Sequence, residues 1–377
     1  MSKILALVSH VPNPRANRRM GQLAMVSEVE LVYWNKGGES CIVQEINNVC
    51  FYEINIRANR TNPIKRKIPF LKFAIRASKI IKKSNPQIIY AERFDMLIVA
   101  WFNRLLCLKK EKPKIIFEVP DLPHIMIDNV KGLFNVLFKK SVKILEQLVY
   151  KSVDLLIVTS TKFYDIYYKY YIPEKKVVYM PNIPDFTVLK DYKHKEHNNF
   201  TIGYIGVIRY PKQLLLLMEA AAAVGADVLL AGFTENCQEV KEIAEKYQNV
   251  IYYGQYDYNK EIVKLYEMCD AIFSVYDAEM KNVGVALPNK LYEAVYCKLP
   301  IIVAKSTYLG EIVESHGIGI TVTYNNKNEL QNAIMQLMND RNFYSSIQKN
   351  CTKSIELNNI EKYTNEFKKE ISSMLVP

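Results

Sequence analysis

Pro288-Asn289-Lys290-Leu291-Tyr292-Glu293-Ala294, followed by Leu299-Pro300-Ile301-Ile302-Val303, decides how the rest of this chain is read. A polar loop with a proline runs into a helix, and an apolar strand follows the helix directly. The first turn of a helix presents free N–H groups and the positive end of its dipole, so it draws anions. Lys290 adds a full positive charge there. Glu293, three residues on, is ill placed for a phosphate but well placed to accept from a pair of vicinal hydroxyls. A diphosphate beside a ribose, as in a nucleotide-sugar, presents both groups.

Outward from this stretch the chain alternates short apolar runs with amphipathic ones. Ile4–Ser9, Val29–Tyr33, Cys50–Ile56, Gln87–Ala91, Ile115–Val119, Asp154–Ser160 and Lys176–Met180 read as strands of a first set. Phe200–Gly206, Asp227–Gly232, Val250–Tyr253, Ala271–Val275, Pro300–Ala304 and Gly319–Thr323 read as a second. Helical patterns lie between several of them, among them Pro69–Lys83, Lys131–Lys151, Lys212–Val224, Cys237–Tyr247, Lys260–Cys269 and Asn289–Tyr296. Such alternation predicts an α/β protein with parallel sheets covered on both faces. The length, 377 residues, suits two domains. The polar segment Lys190–Asn199 reads as a linker, and Arg341–Leu375 as helix with a break near Asn358.

The Pro288–Glu293 run resembles the donor-binding signature of GT-B glycosyltransferases of the family 4 type, P-N-K-L-x-E followed by an apolar strand. Four further stretches resemble that family in the same order. Phe117-Glu118-Val119-Pro120-Asp121-Leu122 stands where the family carries Y-D-x-H-D/E-L. Asp154–Thr161 resembles its A-D-x-V-I-x-x-S strand. Val177–Asp185 resembles its V-x-P-N-G-x-D segment, with Asn182 as a hinge marker. Gly203-Tyr204-Ile205-Gly206-Val207-Ile208-Arg209-Tyr210-Pro211-Lys212 resembles its G-x-x-G-x-x-R-x-x-K stretch. The resemblance implies two Rossmann-like domains facing a central cleft. These are an acceptor domain over residues 1–186, a nucleotide-sugar domain over 187–355, and a C-terminal helix over 356–377 returning to the first domain. It also implies retention of anomeric configuration and no obligatory metal.

Site residues follow from the matching positions. Gly206 lets a diphosphate approach the backbone, while Arg209 and Lys212 grip it together with Pro288, Asn289, Lys290 and Leu291 at the helix start. Glu293 holds ribose. The family's E-x(7)-E pair is incomplete, because Val285 stands where the first Glu belongs; Asn282 in the preceding loop faces the donor sugar instead. Pro120 replaces the family's His, which leaves Asp121 and then Glu118 as the catalytic candidates, with His124 as a loop substitute. Arg15 and Arg19, four apart on one helix face, are expected to hold an acceptor phosphate. His10 is a lone loop histidine of structural or solvated type.

Bulk properties narrow the remainder. The net charge of +11 arises in the first half: residues 1–182 carry 30 Lys+Arg against 15 Asp+Glu, and 183–377 carry 20 against 24. Between Glu53 and Glu92 there is no acid, so the two basic amphipathic helices near 64–83 and 130–150 are expected to lie against an anionic membrane surface. No RNA-binding pattern occurs, which argues against nucleic acid. The seven cysteines show no C-x-x-C spacing and fit a reducing compartment. No 18-residue apolar run and no signal peptide are seen. There is no D-x-D spacing and no metal-binding cluster, so no metal and no cofactor beyond the nucleotide-sugar co-substrate is expected.

Together these features predict a cytoplasmic, membrane-peripheral hexosyltransferase of cell-surface polysaccharide synthesis. It would act on a glycan or lipid-linked acceptor at the inner face of the membrane. Two alternatives stay open: a nucleotide-sugar 2-epimerase on the same architecture, and a non-catalytic membrane- or partner-binding scaffold.

Overall fold

The computed structural model describes residues 2–37, 43–59, 65–122, 133–234 and 237–375, with the side chains of 133–140 and 237 set aside. Within these residues the chain divides into two compact units. One comprises residues 1–181 with 360–377, the other 182–359.

The first unit begins β1 (Lys3–Val8), α1 (Pro14–Ala24), β2 (Glu28–Asn35), β3 (Val49–Asn55), α2 (Lys67–Ser84), β4 (Ile88–Glu92), α3 (Arg93–Leu105) and β5 (Lys114–Val119). It continues with α4 (Leu133–Tyr150), β6 (Leu155–Val158), α5 (Thr161–Ile166) and β7 (Val177–Tyr179). The seven strands are parallel, in the order β3-β2-β1-β4-β5-β6-β7. Strands β4, β5 and β6 are buried almost throughout, which is why they read as continuous apolar runs.

The chain leaves β1 in one direction for β2 and later returns past it to β4. The successive connections from β3 to β4, β4 to β5 and β5 to β6 all run the same way across the sheet. Right-handed crossovers therefore stack α2, α3 and α4 on one face and α1 on the other. Helix α1 opens on Asn13, whose side chain accepts the Ala16 N–H at 2.9 Å, and on Pro14. Its Met20 and Leu23 join a core that also takes in Phe367 and Ile371 of the last helix.

The second unit holds β8 (Thr201–Ile205), α6 (Pro211–Val224), β9 (Asp227–Ala231), α7 (Cys237–Ala244), β10 (Val250–Gly254), α8 (Tyr258–Glu267) and β11 (Ala271–Ser274). Then come α9 (Lys281–Val285), α10 (Asn289–Cys297), β12 (Ile301–Ala304), α11 (Tyr308–His316), β13 (Gly319–Val322), α12 (Lys327–Asn339) and α13 (Arg341–Lys353). Its strand order, β10-β9-β8-β11-β12-β13, repeats the plan of the first sheet.

After a short break at 354–358, α14 (Ile360–Leu375) packs against α1 and β7 of the first unit. Gln22 donates to the Thr364 hydroxyl at 2.8 Å, and Lys114 donates to the Met374 carbonyl at 2.7 Å. Segment 190–199, read from its polarity as a linker, is instead tied to the second unit. His197 meets Asp270 at 3.2 Å and Lys195 reaches Glu267 at 2.5 Å. The units part between Pro181 and Asn182, ahead of the expected 186. Asn182 is already bound to the second unit, its side-chain amide donating to Asn289 at 2.9 Å.

Candidate functional site

Open parallel sheets bind ligands beyond the carboxyl ends of their strands, at the point where the strand order reverses. In the second unit that point lies between β8 and β11. Gly206 follows β8 directly and has φ +134°, a conformation that strains any residue with a Cβ. Tyr276 follows β11 by two residues, and Lys290 enters on the first turn of α10. A Cβ placed on Gly206 would stand 3.1 Å from the Lys290 Nζ. Two stretches separated by more than 80 residues of sequence thus meet at one spot.

Lys290 is a buried cation on the positive end of a helix dipole, a position that ordinary stability would not favour. Among the described residues its Nζ donates to the Tyr276 hydroxyl at 3.1 Å and lies 4.2 Å from the centre of the Tyr204 ring. Burial works against its charge, but Tyr276, Tyr204 and Glu293 outweigh burial and raise its pKa. The ring faces beneath the ammonium add cation–π attraction. Tyr204 also holds the loop that carries Arg209. Its hydroxyl donates to the Val207 carbonyl at 2.8 Å and receives the Arg209 backbone N–H. The Arg209 side chain is exposed, as is Lys212 on the first turn of α6.

Glu293 sits one turn deeper on α10 and is buried. Its two oxygens accept from Tyr258 at 2.8 Å and from Tyr266 at 2.6 Å. Burial raises its pKa, against the pull of those two hydroxyls and of Lys290. Tyr256 is within electrostatic reach of Glu293, and its own pKa is pushed up to about 12, chiefly by burial. Tyrosines 204, 256, 258, 266 and 276 therefore surround the Lys290–Glu293 pair. The sequence reading passed over them, although 204 and 276 lie on or just after strand ends, which is the signal that marks them.

The other donor-side candidates are half-buried or buried on the same segment. Asn289 accepts from Asn182, Pro288 precedes the helix, and Asn282 lies on the short α9. Leu291 is wholly buried and belongs to the core, so its side chain serves packing.

In the first unit the order reverses between β1 and β4, and there His10 Nε2 stands 2.9 Å from Glu92 Oε1. Arg15 forks onto two carboxylates, donating to Glu92 at 2.6 Å and to Glu118 at 2.8 Å. Arg19 donates to Glu118 at 2.6 Å, and Tyr90 donates to the same Glu118 oxygen at 2.5 Å. Burial opposes the charge of Arg15, yet Glu92 and Glu118 outweigh it and raise its pKa.

This network bears on two sequence expectations. Arg15 and Arg19 share a helix face that is turned onto the ends of β4 and β5, where Glu92 and Glu118 pair with them. Glu118, expected as a catalytic candidate, is the anchor of that ion network. The i, i+4 spacing revealed the shared face; it carried no information about which strands would lie beneath it. Asp121 is exposed just past β5 and acts electrostatically on Arg15. His124 lies outside the described residues.

Residues 186–354 match the family described as Glycosyl transferases group 1. Solved structures share the fold over nearly the whole chain. Sucrose-phosphate synthase from Thermosynechococcus elongatus is 15% identical, with a TM-score of 0.77 and 99% of each chain covered. Anabaena HepE in complex with UDP-glucose is 15% identical, with a TM-score of 0.71 over 99% of this chain and 100% of that one. WaaG, a glycosyltransferase involved in lipopolysaccharide biosynthesis, is 11% identical, with a TM-score of 0.67 over 98% and 99%. No curated protein sequence matches the chain. The chain has the GT-B fold, its second unit matches the group 1 glycosyl transferase model, and the protein is a glycosyltransferase.

Proposed function

We propose that this glycosyltransferase is of the family 4 type and moves a hexose from a nucleoside diphosphate sugar to a glycan or lipid-linked sugar acceptor, with retention of configuration. The observation that carries this reading is Lys290, a buried ammonium whose hydrogen bond among the described residues goes to a neutral tyrosine hydroxyl rather than to a carboxylate, set beside the Gly206 backbone where the strand order reverses. A pyrophosphate is the group that such a cation lacks. Lys290, the free N–H groups of α10 and Arg209 with Lys212 would offset the charge developing on the leaving diphosphate, so that no metal and no cofactor is required. Glu293 would take the ribose hydroxyls, Asn282 the donor sugar, and Asp121 would orient the reacting hydroxyl.

The reading places the enzyme in cell-surface polysaccharide synthesis, in the cytoplasm and at the inner face of the membrane, with its basic first unit towards anionic lipid. It is supported there by the charge asymmetry alone. Among the described residues no helix is long and apolar enough to cross a membrane.

The test is a panel of UDP-, GDP- and ADP-sugars scored by thermal shift, followed by calorimetry and by product analysis with and without acceptor. A ligand that binds only the folded form raises the melting point, by an amount set by its concentration over Kd. One nucleotide-sugar is expected to stabilise the protein and to be consumed only when an acceptor is present. No stabilisation by any member, or turnover of the donor without acceptor, overturns the reading.

A further inference from the structure

The stacking of α2, α3 and α4 on one face of the first sheet gives that layer an outer surface of unusual composition. Leu71 and Ile75 on α2, Phe102 and Leu105 on α3, and Ile144 and Leu148 on α4 are each between 49% and 61% exposed. They pair at i, i+3 or i, i+4, so each pair crowns the outer side of its helix. The three helices are contiguous. Asn103 of α3 donates to Ser78 of α2 at 2.9 Å, and Arg104 of α3 donates to the Ser152 carbonyl, just past α4, at 2.7 Å. Isolated apolar residues on a surface need no explanation, but six along three adjoining helices form a patch that does.

The same surface is cationic. Helix α2 carries six lysines and arginines and no acid. The loop after α3 adds Lys109, Lys110 and Lys112 against Glu111. On α4, Glu146 is turned inward, accepting from Tyr150 at 2.8 Å and Tyr167 at 2.7 Å, while Lys143 is exposed.

We propose that the outer face of α2, α3 and α4 docks on a bilayer containing anionic lipid, with Leu71, Ile75, Phe102, Leu105, Ile144 and Leu148 entering the headgroup–acyl boundary. Charge decides among the occupants. A second copy applied through this face would set the six cations of one α2 near those of the other. A nucleic acid would neutralise the lysines and leave the leucines and isoleucines in water. An anionic bilayer meets both needs, since lysine stems lie along the apolar region while their ammonium groups stay with the headgroups. The proposal deepens the membrane-facing part of the function above and is independent of the donor chemistry.

The experiment is co-sedimentation of the full chain with vesicles of phosphatidylglycerol and phosphatidylcholine, and with vesicles of phosphatidylcholine alone. Wild type is compared with an apolar variant (Leu71→Ser, Ile75→Ser, Leu105→Ser) and a charge variant (Lys72→Glu, Arg76→Glu, Lys79→Glu). UDP binding and the far-UV spectrum of each variant report on folding. Wild type is expected to bind the anionic vesicles only, and both variants to lose about tenfold or more in partition while keeping UDP binding. Added salt should release the wild type. An apolar variant that binds like wild type overturns this surface while leaving a membrane contact elsewhere open. A wild type that ignores anionic vesicles yet binds UDP overturns the membrane contact altogether and leaves the donor reading standing. A dimer that the variants dissolve, with no vesicle binding, assigns the face to a second copy instead.

Discussion

The ammonium of Lys290 donates to the hydroxyl of Tyr276 at 3.1 Å, joining the first turn of α10 to the loop after β11 across the place where the second sheet reverses its strand order. The ammonium is thereby held beside Gly206 before any donor arrives, so its entropy is already lost. Lys290→Met should weaken UDP binding by about tenfold to a hundredfold, the range expected for hydrogen bonds to a charged group. Tyr276→Phe keeps the ring and frees the ammonium, and should cost about threefold to tenfold. Calorimetric titration with UDP reads both, and equal affinity for wild type and Lys290→Met would remove Lys290 from the donor site.

Glu293 anchors two tyrosine hydroxyls, and one substitution pair separates that duty from its proposed hold on the ribose. Removing its carboxylate in Glu293→Ala leaves the Tyr258 and Tyr266 hydroxyls without their acceptor, and a buried hydroxyl so orphaned costs about 1–3 kcal/mol. Glu293→Gln keeps an acceptor oxygen and should unfold at a denaturant concentration closer to wild type. Both changes should reduce affinity for UDP while sparing inorganic pyrophosphate, which has no ribose. If pyrophosphate binding falls in parallel with UDP binding in Glu293→Gln, the glutamate is not a ribose ligand.

Arg19 faces the buried Glu118, and breaking such a pair from one side costs about 3–5 kcal/mol because a charge is left unpaired. Arg19→Met should therefore lower stability sharply, and the double variant Arg19→Met with Glu118→Gln should recover much of the loss. Urea denaturation of the two singles and the double measures the coupling. A stable Arg19→Met with weakened acceptor affinity would restore the arginine to an acceptor role.

Glu92 supplies a pH dependence with a definite sign. Burial, the largest influence, pushes its carboxyl up, but His10, Arg15 and Arg93 outweigh it and hold the pKa down at about 2 against an ordinary 4.5. The folded value lies below the unfolded one, so the contribution is complete above pH 4.5 and is lost as pH falls towards 2. Its size is on the order of 3 kcal/mol. Stability measured by urea unfolding at successive pH values should decline over that interval in wild type and less steeply in Glu92→Gln. Parallel curves would show that the His10–Glu92–Arg15 cluster does not govern the acid limb.

Phe367, fully buried in the core of the first unit and 5.0 Å from the Arg19 guanidinium, makes the C-terminal helix part of that unit's fold. Phe367→Ala should cost about 3–5 kcal/mol. Thermal unfolding followed by circular dichroism should shift downward correspondingly; an unchanged midpoint would mean that α14 is dispensable.

The central strands were legible in the sequence because strands covered on both faces leave uninterrupted apolar runs, as at 115–119 and 301–304. Pro288–Glu293 stood out for a different reason: a lysine on the first turn of a helix, at the positive end of its dipole, makes poor structural sense, and with Glu293 one turn further on it makes sense towards a diphosphate and a ribose. The partners of these residues were not legible. Tyr276, Tyr258 and Glu92 are ordinary residues in the linear chain and acquire meaning only from their neighbours.

The amino-acid order by itself determined the alternation of strand and helix, the uneven charge, and the pairing of a cation with a carboxylate at Lys290 and Glu293, because periodicity and helix-end electrostatics act over a few residues. The tertiary structure alone decided that Arg15 and Arg19 close on Glu92 and Glu118, and that Lys290 lies between Tyr276 and Gly206. Those contacts join segments 77 to 103 residues apart or lie across a strand-order reversal, and only the packing of the sheet brings such segments within hydrogen-bond distance.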